Sequence, residues 1–176
     1  MINEVSVTPK PQNNNSKILM TVFLALAAVV IIVSLAIDKY KGVVAFVGVC
    51  LLVSAILVYT KYVSVRFYYD VIITDDGEPL FVVRQLTGRR IVTLCRVPLA
   101  EITDIKKETR KERKAHVRAK NTPLFVYFPT LSPELSYRMS VGRGDSASEV
   151  LIECSDEFSS LLSAYCAEAR ELSTKE

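Results

Sequence analysis

Residues 18–60 decide the architecture: ILMTVFLALAAVVIIVSLAI (18–37), DKYK (38–41) and GVVAFVGVCLLVSAILVYT (42–60) follow one another without interruption. Each apolar run is close to the ~20 residues that a helix needs to cross a hydrocarbon core of ~30 Å. Because only four residues separate the runs, the chain has to turn at once, which predicts a transmembrane helical hairpin over residues 17–61. Neither run contains an ionisable residue, whereas proton relays and ion pathways need one, so the pattern indicates an anchor rather than a transporter.

Composition divides the rest of the chain into a short tail and one domain. Residues 1–16 are polar, with two prolines and three consecutive asparagines, and we predict a disordered tail there. Residues 62–173 are long enough for one domain with its own core. Their charge is uneven, since residues 61–121 carry 14 Lys and Arg against 8 Asp and Glu, and residues 122–176 carry 4 against 9.

The flanking charges predict the orientation. Lys10 and Lys17 precede the first run, and Lys61 and Arg66 follow the second, whereas Asp38 partly offsets the two lysines of the turn. The positive-inside bias therefore predicts a multi-pass protein of the cell membrane with both termini in the cytoplasm. The four cysteines have no Cys-x-x-Cys spacing, and we interpret them as free thiols in a reducing compartment.

After residue 60 the hydrophobic pattern changes from continuous to alternating, which is typical of half-buried strands. We predict about seven short strands, separated by turn sequences rich in Gly, Asp and Pro. These strands lie at residues 63–73, 80–83, 91–97, 102–105, 124–128, 135–141 and 149–154. Ser155 is a suitable N-cap, and apolar residues from Phe158 to Ala169 recur at helical spacing, so a helix of roughly 16 residues follows the last strand.

This order of elements resembles the pleckstrin-homology-like (PH-like) barrel, in which a C-terminal helix covers one open end. The stretch YFPTLSPE (127–134), leading into EVLIE (149–153) and DEF (156–158), is similar to a family of small bacterial membrane proteins with a transmembrane hairpin before such a domain. The resemblance covers roughly residues 18–170. It implies a two-helix hairpin followed by an all-β PH-like barrel of antiparallel strands, and no catalytic residue or cofactor. Lipid-binding eukaryotic relatives have a basic first loop, where this chain has Asp75, Asp76 and Glu78.

The strongest candidate contact site is the basic segment at residues 106–120, which holds eight Lys or Arg and two Glu. A polybasic segment beside a bilayer is attracted to anionic lipids by roughly 1 kcal/mol per well-placed Lys or Arg. A solvated loop, or a strand edge whose lysines discourage pairing, would explain the same charges. The candidates for contact with anionic lipid or a partner are Lys106, Lys107, Arg110, Lys111, Arg113, Lys114, Arg118 and Lys120.

No catalytic, cofactor or metal residues are predicted. His116 lies among like charges and is expected to be solvent-exposed, and residues 142–145 are interpreted as a hairpin turn. We therefore expect a non-enzymatic, membrane-anchored binding or scaffold module for anionic lipid headgroups or a partner protein, including a second copy of the chain. The alternative is a structural subunit of a larger membrane complex. A membrane enzyme and a nucleic-acid binder are less favoured.

Overall fold

The computed structural model describes residues 2–37, 40–119, 122–142 and 147–173. The chain divides into two compact units, one comprising Asn13–Val65 and the other formed by the residues up to Gln12 together with those from Arg66 onward. Asp38 and Lys39 of the predicted membrane turn lie outside the described residues, as do residues 143–145 of the predicted turn at residues 142–145.

The first unit consists of two apolar helices, as the sequence predicts. Helix α1 spans Asn15–Ala36, and helix α2 spans Lys41–Val58 and continues as a π-helical turn over Tyr59–Val63. Both are long and apolar enough to cross a membrane by length and composition, and only 11% of each apolar window is buried. Apolar surface that water would expel from a soluble fold is therefore left outward-facing on both helices.

Small residues line the contact between α1 and α2. Ala27 and Ser34 are buried on α1, and Gly48 and Ala55 are buried on α2, each pair being seven residues apart. This spacing is typical of left-handed helix pairs. Thr21 and Ala25 on α1, and Cys50 and Ser54 on α2, are further pairs of small residues four apart, but the first three of these residues are exposed.

The second unit contains two four-stranded sheets and two helices. The first sheet has the order β1-β2-β3-β4 and the second the order β5-β7-β8-β6. The strands are β1 (Val5–Val7), β2 (Val65–Ile73), β3 (Pro79–Thr87), β4 (Arg90–Pro98), β5 (Ile102–Thr109), β6 (Leu124–Tyr127), β7 (Leu135–Val141) and β8 (Ser148–Ile152). A 3-10 turn at Leu99–Glu101 precedes β5, and the helices are α3 (Arg110–Ala119) and α4 (Asp156–Ser173).

The sheets do not close into a barrel, so the expected barrel of antiparallel strands is corrected. The seven predicted strands correspond to β2–β8, but β6 pairs with β8 in parallel, from Leu124 opposite Glu149 to Tyr127 opposite Ile152. Within the described residues, β4 and β6 end their own sheets rather than pairing with each other. A barrel removes its edges only when its terminal strands pair, and here they remain edges.

The prediction of a disordered tail over residues 1–16 is wrong for its first part. Val5 pairs with Val71 and Val7 with Tyr69, so β1 forms the antiparallel edge of the first sheet. Two valines flanking Ser6 give the period-two pattern of a short strand, which the polar average of the surrounding residues hides.

The core of the second unit lies beneath α4. Ser155 caps this helix as predicted, since its Oγ accepts a hydrogen bond from the Phe158 N–H at 3.2 Å. The buried ring of Tyr69 lies 6.3 Å from the ring of Phe81 and 6.5 Å from that of Phe158, measured between centroids. Its hydroxyl donates to the Tyr127 carbonyl at 2.5 Å, which satisfies the one polar group that this ring brings into the core.

Gly48→Ala should weaken the pairing of α1 with α2. A Cβ at residue 48 would lie 2.7 Å from Ile31 Cγ1 and 3.5 Å from the Ile31 backbone nitrogen, and the β-branched Ile31 has little freedom to move. We expect the free energy of helix separation to fall by about 1–3 kcal/mol. The measurement is an SDS titration in mixed micelles, followed by energy transfer between probes on the two helices.

Gly42→Ala is the matched control, because a Cβ at residue 42 would meet no atom within 4 Å. It should leave the separation midpoint unchanged or raise it slightly, since alanine favours helix over glycine. Equal midpoints for the two variants would contradict the close approach at Gly48.

Candidate functional site

The basic segment forms the end of β5 and helix α3 rather than a loop. Thr109 and Glu112 start the helix with a capping box: the Glu112 carboxylate accepts hydrogen bonds from the Thr109 N–H and hydroxyl, both at 2.8 Å. These bonds hold the pKa of Glu112 below its usual range. The Thr-x-x-Glu pattern is visible in the sequence and is the signal that would have predicted this helix start.

Arg113 connects α3 to β7 and to the segment before it. Its guanidinium donates to Ser136 Oγ at 2.8 Å and to the Pro133 carbonyl at 3.0 Å, and it lies 5.2 Å from the centroid of the Phe128 ring. A guanidinium that is stacked on an aromatic ring and hydrogen-bonded in this way stabilises the fold. Arg113 is therefore removed from the set of cations that are free to bind a ligand.

His116 fastens the next turn of α3 to a buried cluster of charges. Its Nε2 lies 3.2 Å from Glu149 Oε1, and its side chain is about a third exposed, which corrects the expectation of a solvated histidine. Glu149 also contacts Arg138 at 3.2 Å, and Arg138, only 4% exposed, reaches Glu108 at 2.5 Å. Buried charges of this kind need partners, and the cluster therefore fixes α3 against β5, β7 and β8.

Two more of the predicted contact residues have acidic partners. The Lys106 ammonium lies 2.6 Å from the Asp104 carboxylate. The Lys107 ammonium lies 2.7 Å and 2.8 Å from the two oxygens of Asp156, which also accepts a short hydrogen bond from the Tyr137 hydroxyl. These two contacts hold the pKa of Asp156 below its usual range, and they tie β5 to the start of α4.

Three predicted contact residues remain exposed on one face of α3. Arg110, Lys111 and Lys114 have no ion-pair partner within the described part of the chain, and residues three or four apart in a helix are neighbours. This basic face points away from the side that carries Arg113 and His116. Arg118 follows Lys114 by four residues, but its side chain lies outside the described residues, as does all of Lys120.

Gln12 was missed by sequence reasoning, although it connects the first segment of the chain to α3. Its Oε1 accepts a hydrogen bond from the Glu134 N–H at 2.9 Å, and the Glu134 carbonyl accepts one from the Arg110 N–H at 2.9 Å. Gln12 Nε2 also donates to the Leu135 carbonyl at 2.7 Å. The backbone of one residue, Glu134, thus joins Gln12 to the first residue of α3, across more than 90 residues of sequence, and no local pattern signals it.

Glu153 lies buried beside the same connection. Its carboxylate accepts hydrogen bonds from the Gln12 N–H at 2.9 Å and from the Thr130 hydroxyl at 2.7 Å. Burial raises the pKa of Glu153, while the hydrogen bonds from Thr130 and Gln12 oppose that rise. The net direction is upward because desolvation penalises the charged form more than these donors stabilise it.

The described residues contain no group of three or more His, Cys, Asp or Glu that could hold a metal ion. The four cysteines are free thiols. Comparisons with protein-family models, with curated proteins and with solved structures gave no match. The candidate site is a cationic face of α3, which Arg113 and His116 hold against the sheet and which is connected to Gln12 through Glu134.

Glu153→Gln should flatten part of the pH dependence of stability. The folded state holds the Glu153 proton more tightly than the unfolded state, whose ordinary pKa is 4.5. The stability from this group is therefore complete below pH 4.5 and is lost as the pH rises through the folded pKa. We expect the thermal midpoint of the wild type minus that of the variant to be largest near pH 4 and to shrink toward neutral pH, measured by near-ultraviolet circular dichroism.

Glu171→Gln, on the exposed side of α4, controls for the loss of a carboxylate. Its midpoint should follow the wild type across the same pH range. A Glu153→Gln curve parallel to the wild type would show that Glu153 does not titrate differently on folding.

Proposed function

We propose that this protein is a non-enzymatic, membrane-anchored binding module whose α3 presents a cationic face to anionic lipid headgroups. The helices α1 and α2 form its two-span anchor in the cell membrane. The β-rich unit lies on the cytoplasmic side, where anionic lipids attract basic segments. Arg110, Lys111 and Lys114 bind lipid phosphates, while Arg113 and His116 hold the helix in place from the other side.

The connection from Gln12 to Arg110 is the observation that carries this proposal. Gln12 precedes Asn15, the first residue of α1, by three residues, which span at most about 11 Å of extended chain. The start of α3 is joined to Gln12 through the N–H and the carbonyl of a single residue, Glu134. On this proposal the basic face lies close to the membrane surface, although Arg110 follows the second apolar run by 50 residues in sequence.

The pairing of β1 with β2 supports the predicted topology. Strand β1 precedes the two apolar helices and β2 follows them, yet their residues pair directly from Val5 and Val71 to Val7 and Tyr69. Both ends of a two-span anchor must therefore lie on the same side of the bilayer. The excess of positive charge near these ends favours the cytoplasmic side.

We also propose that the β-rich unit is a divergent, open relative of the PH-like fold. Support comes from its two four-stranded sheets, the antiparallel pairing of β5 with β7 and of β7 with β8, and the C-terminal α4. The acidic turn at Asp75 and Asp76 is unsuited to phosphate. We therefore assign lipid binding in this chain to α3 instead of to the first loop.

A protein partner is the second candidate, and the free edge of β6 favours it. This strand has no charged residue, pairs only with β8 among the described strands, and leaves Phe125 and Val126 47% and 49% exposed. Such an edge accepts an added strand. Stoichiometric copurification of one partner from mild detergent, lost on Val126→Lys, would establish this candidate in place of the lipid.

The lipid proposal is tested with Ala115→Trp, an exposed position of α3 in a chain that has no tryptophan. The full chain is placed in nanodiscs of brominated phosphatidylcholine, with or without brominated phosphatidylglycerol, and bromine quenching of Trp fluorescence is measured. Quenching should rise with the anionic lipid. It should fall in 1 M salt, where the Debye length is only about 3 Å.

Lys111→Glu or Lys114→Glu in this background should remove the dependence on phosphatidylglycerol, because each reversal replaces roughly 1 kcal/mol of attraction with repulsion. Arg96→Glu makes the same change of charge on exposed β4 and should leave the dependence intact. If quenching is the same with and without the anionic lipid, and the same in the Lys111→Glu and Lys114→Glu variants, lipid binding by this face is refuted.

A further inference from the structure

The tip of the hairpin formed by β3 and β4 carries apolar side chains that the β-rich unit does not bury. Ile91 is 61% exposed and Val92 is 53% exposed. Successive residues of a strand point to opposite faces, so the tip is apolar on both sides. Arg89 and Arg90 are exposed beside them. A core on one face of the sheet can bury only one of these two successive side chains, so it does not explain why both are apolar.

The tip lies at the end of the first sheet where β2 begins. Strands β2 and β3 each have nine residues, and the turn between them is closed by the Thr74 N–H bonding to the Glu78 carbonyl at 2.9 Å. The last residue of β3 is therefore beside the first residue of β2. The ion pair of Asp70 with Arg84 at 2.5 Å fits this alignment. The turn at Gly88, whose φ is +61°, follows β3 at that same end.

The chain leaves this end of the sheet for both apolar helices. The helical turn after α2 ends at Val63 and β2 begins at Val65, which leaves at most about 7 Å of chain between them. Strand β1 runs antiparallel to β2, so its last residue also points to this end, from which the chain proceeds to α1. The tip thus shares its end of the sheet with both connections to the anchor.

We propose that the β3–β4 tip inserts into the interfacial layer of the bilayer that the two-helix anchor crosses. Ile91 and Val92 enter the boundary between headgroups and acyl chains, and Arg89 and Arg90 bind lipid phosphates above them. Amphipathic interfacial segments bury their apolar side chains about 5–10 Å in this way, with cationic residues held at headgroup level. This proposal rests on the proposed function only in requiring that α1 and α2 span the bilayer.

The tip and α3 recognise different properties of the membrane. Helix α3 offers charge alone and depends on anionic lipid, whereas the tip offers apolar surface and should bind a zwitterionic bilayer as well. Together they give the β-rich unit two contacts with the membrane in addition to its covalent connections. With these two contacts and its chain connections, the β-rich unit has one orientation relative to the membrane. A single flexible connection would leave that orientation free.

The chain has no tryptophan, so one introduced Trp reports its own depth without background. Ile91→Trp and Val92→Trp are made separately in the full chain and placed in nanodiscs of phosphatidylcholine brominated near the headgroup end of the acyl chain. We expect roughly twofold or greater quenching at both positions, since Trp itself favours the interface. Asp76→Trp, in the turn at the opposite end of the same sheet, is the matched control and should be almost unquenched.

Val53→Trp, on the exposed side of α2, separates failure of this inference from failure of the proposed function. Quenching at residue 53 without quenching at residues 91 and 92 would overturn the inserted tip and leave the anchor intact. No quenching at residue 53 would overturn the membrane-spanning anchor itself. Equal quenching at residues 76 and 91 would also overturn the proposal, because the contact would not be confined to the tip.

Discussion

The hydrogen bonds of Gln12 are the interaction on which the rest of the arrangement depends. They join the residues before the two apolar helices to the domain that follows those helices, through Glu134, Leu135 and the buried Glu153. Strand β1 reinforces this connection by adding an edge to the first sheet. The segment before α1 is therefore part of the β-rich unit, and the two helices are an insertion into that unit rather than a separate leading anchor.

The hydrogen bonds of Gln12 change how the position of the basic segment is interpreted. In sequence, the segment begins far from the second apolar run and looks like a feature of a remote domain. In the folded chain, the first residue of α3 and Gln12 both bond to the backbone of the same residue, Glu134. Four of the eight cationic residues predicted for contact lie on α3 with described side chains. One of them, Arg113, holds the helix against the sheet. The face that remains, Arg110, Lys111 and Lys114, is smaller than the sequence predicted, and it belongs to a helix that Arg113 and His116 hold against the sheet.

Sequence patterns were sufficient where structure is set by residues close in the chain. The two apolar helices, the seven strands β2–β8, and the Ser155 cap of α4 all follow from local periodicity and capping, and all are present. The start of α3 belongs to the same class, because Thr109 and Glu112 form a local capping box. Local patterns failed to predict β1, because a strand of only three residues hardly changes the average composition around it. They also failed to predict that β6 pairs with β8 in parallel. Pairing partners depend on contacts between distant residues, which periodicity does not encode.

The sequence by itself determined that two apolar helices follow one another, that a β-rich unit comes after them in the chain, and that cations concentrate at residues 106–120. Each of these depends on hydrophobicity, spacing or charge within a short window. Only the tertiary structure decided that Gln12 reaches α3, that His116 enters a cluster with Glu149 and Arg138, and that the sheets stay open between β4 and β6. The physical reason is that hydrogen bonds and ion pairs of single residues across long loops add little to any local pattern, yet they fix which surfaces come together.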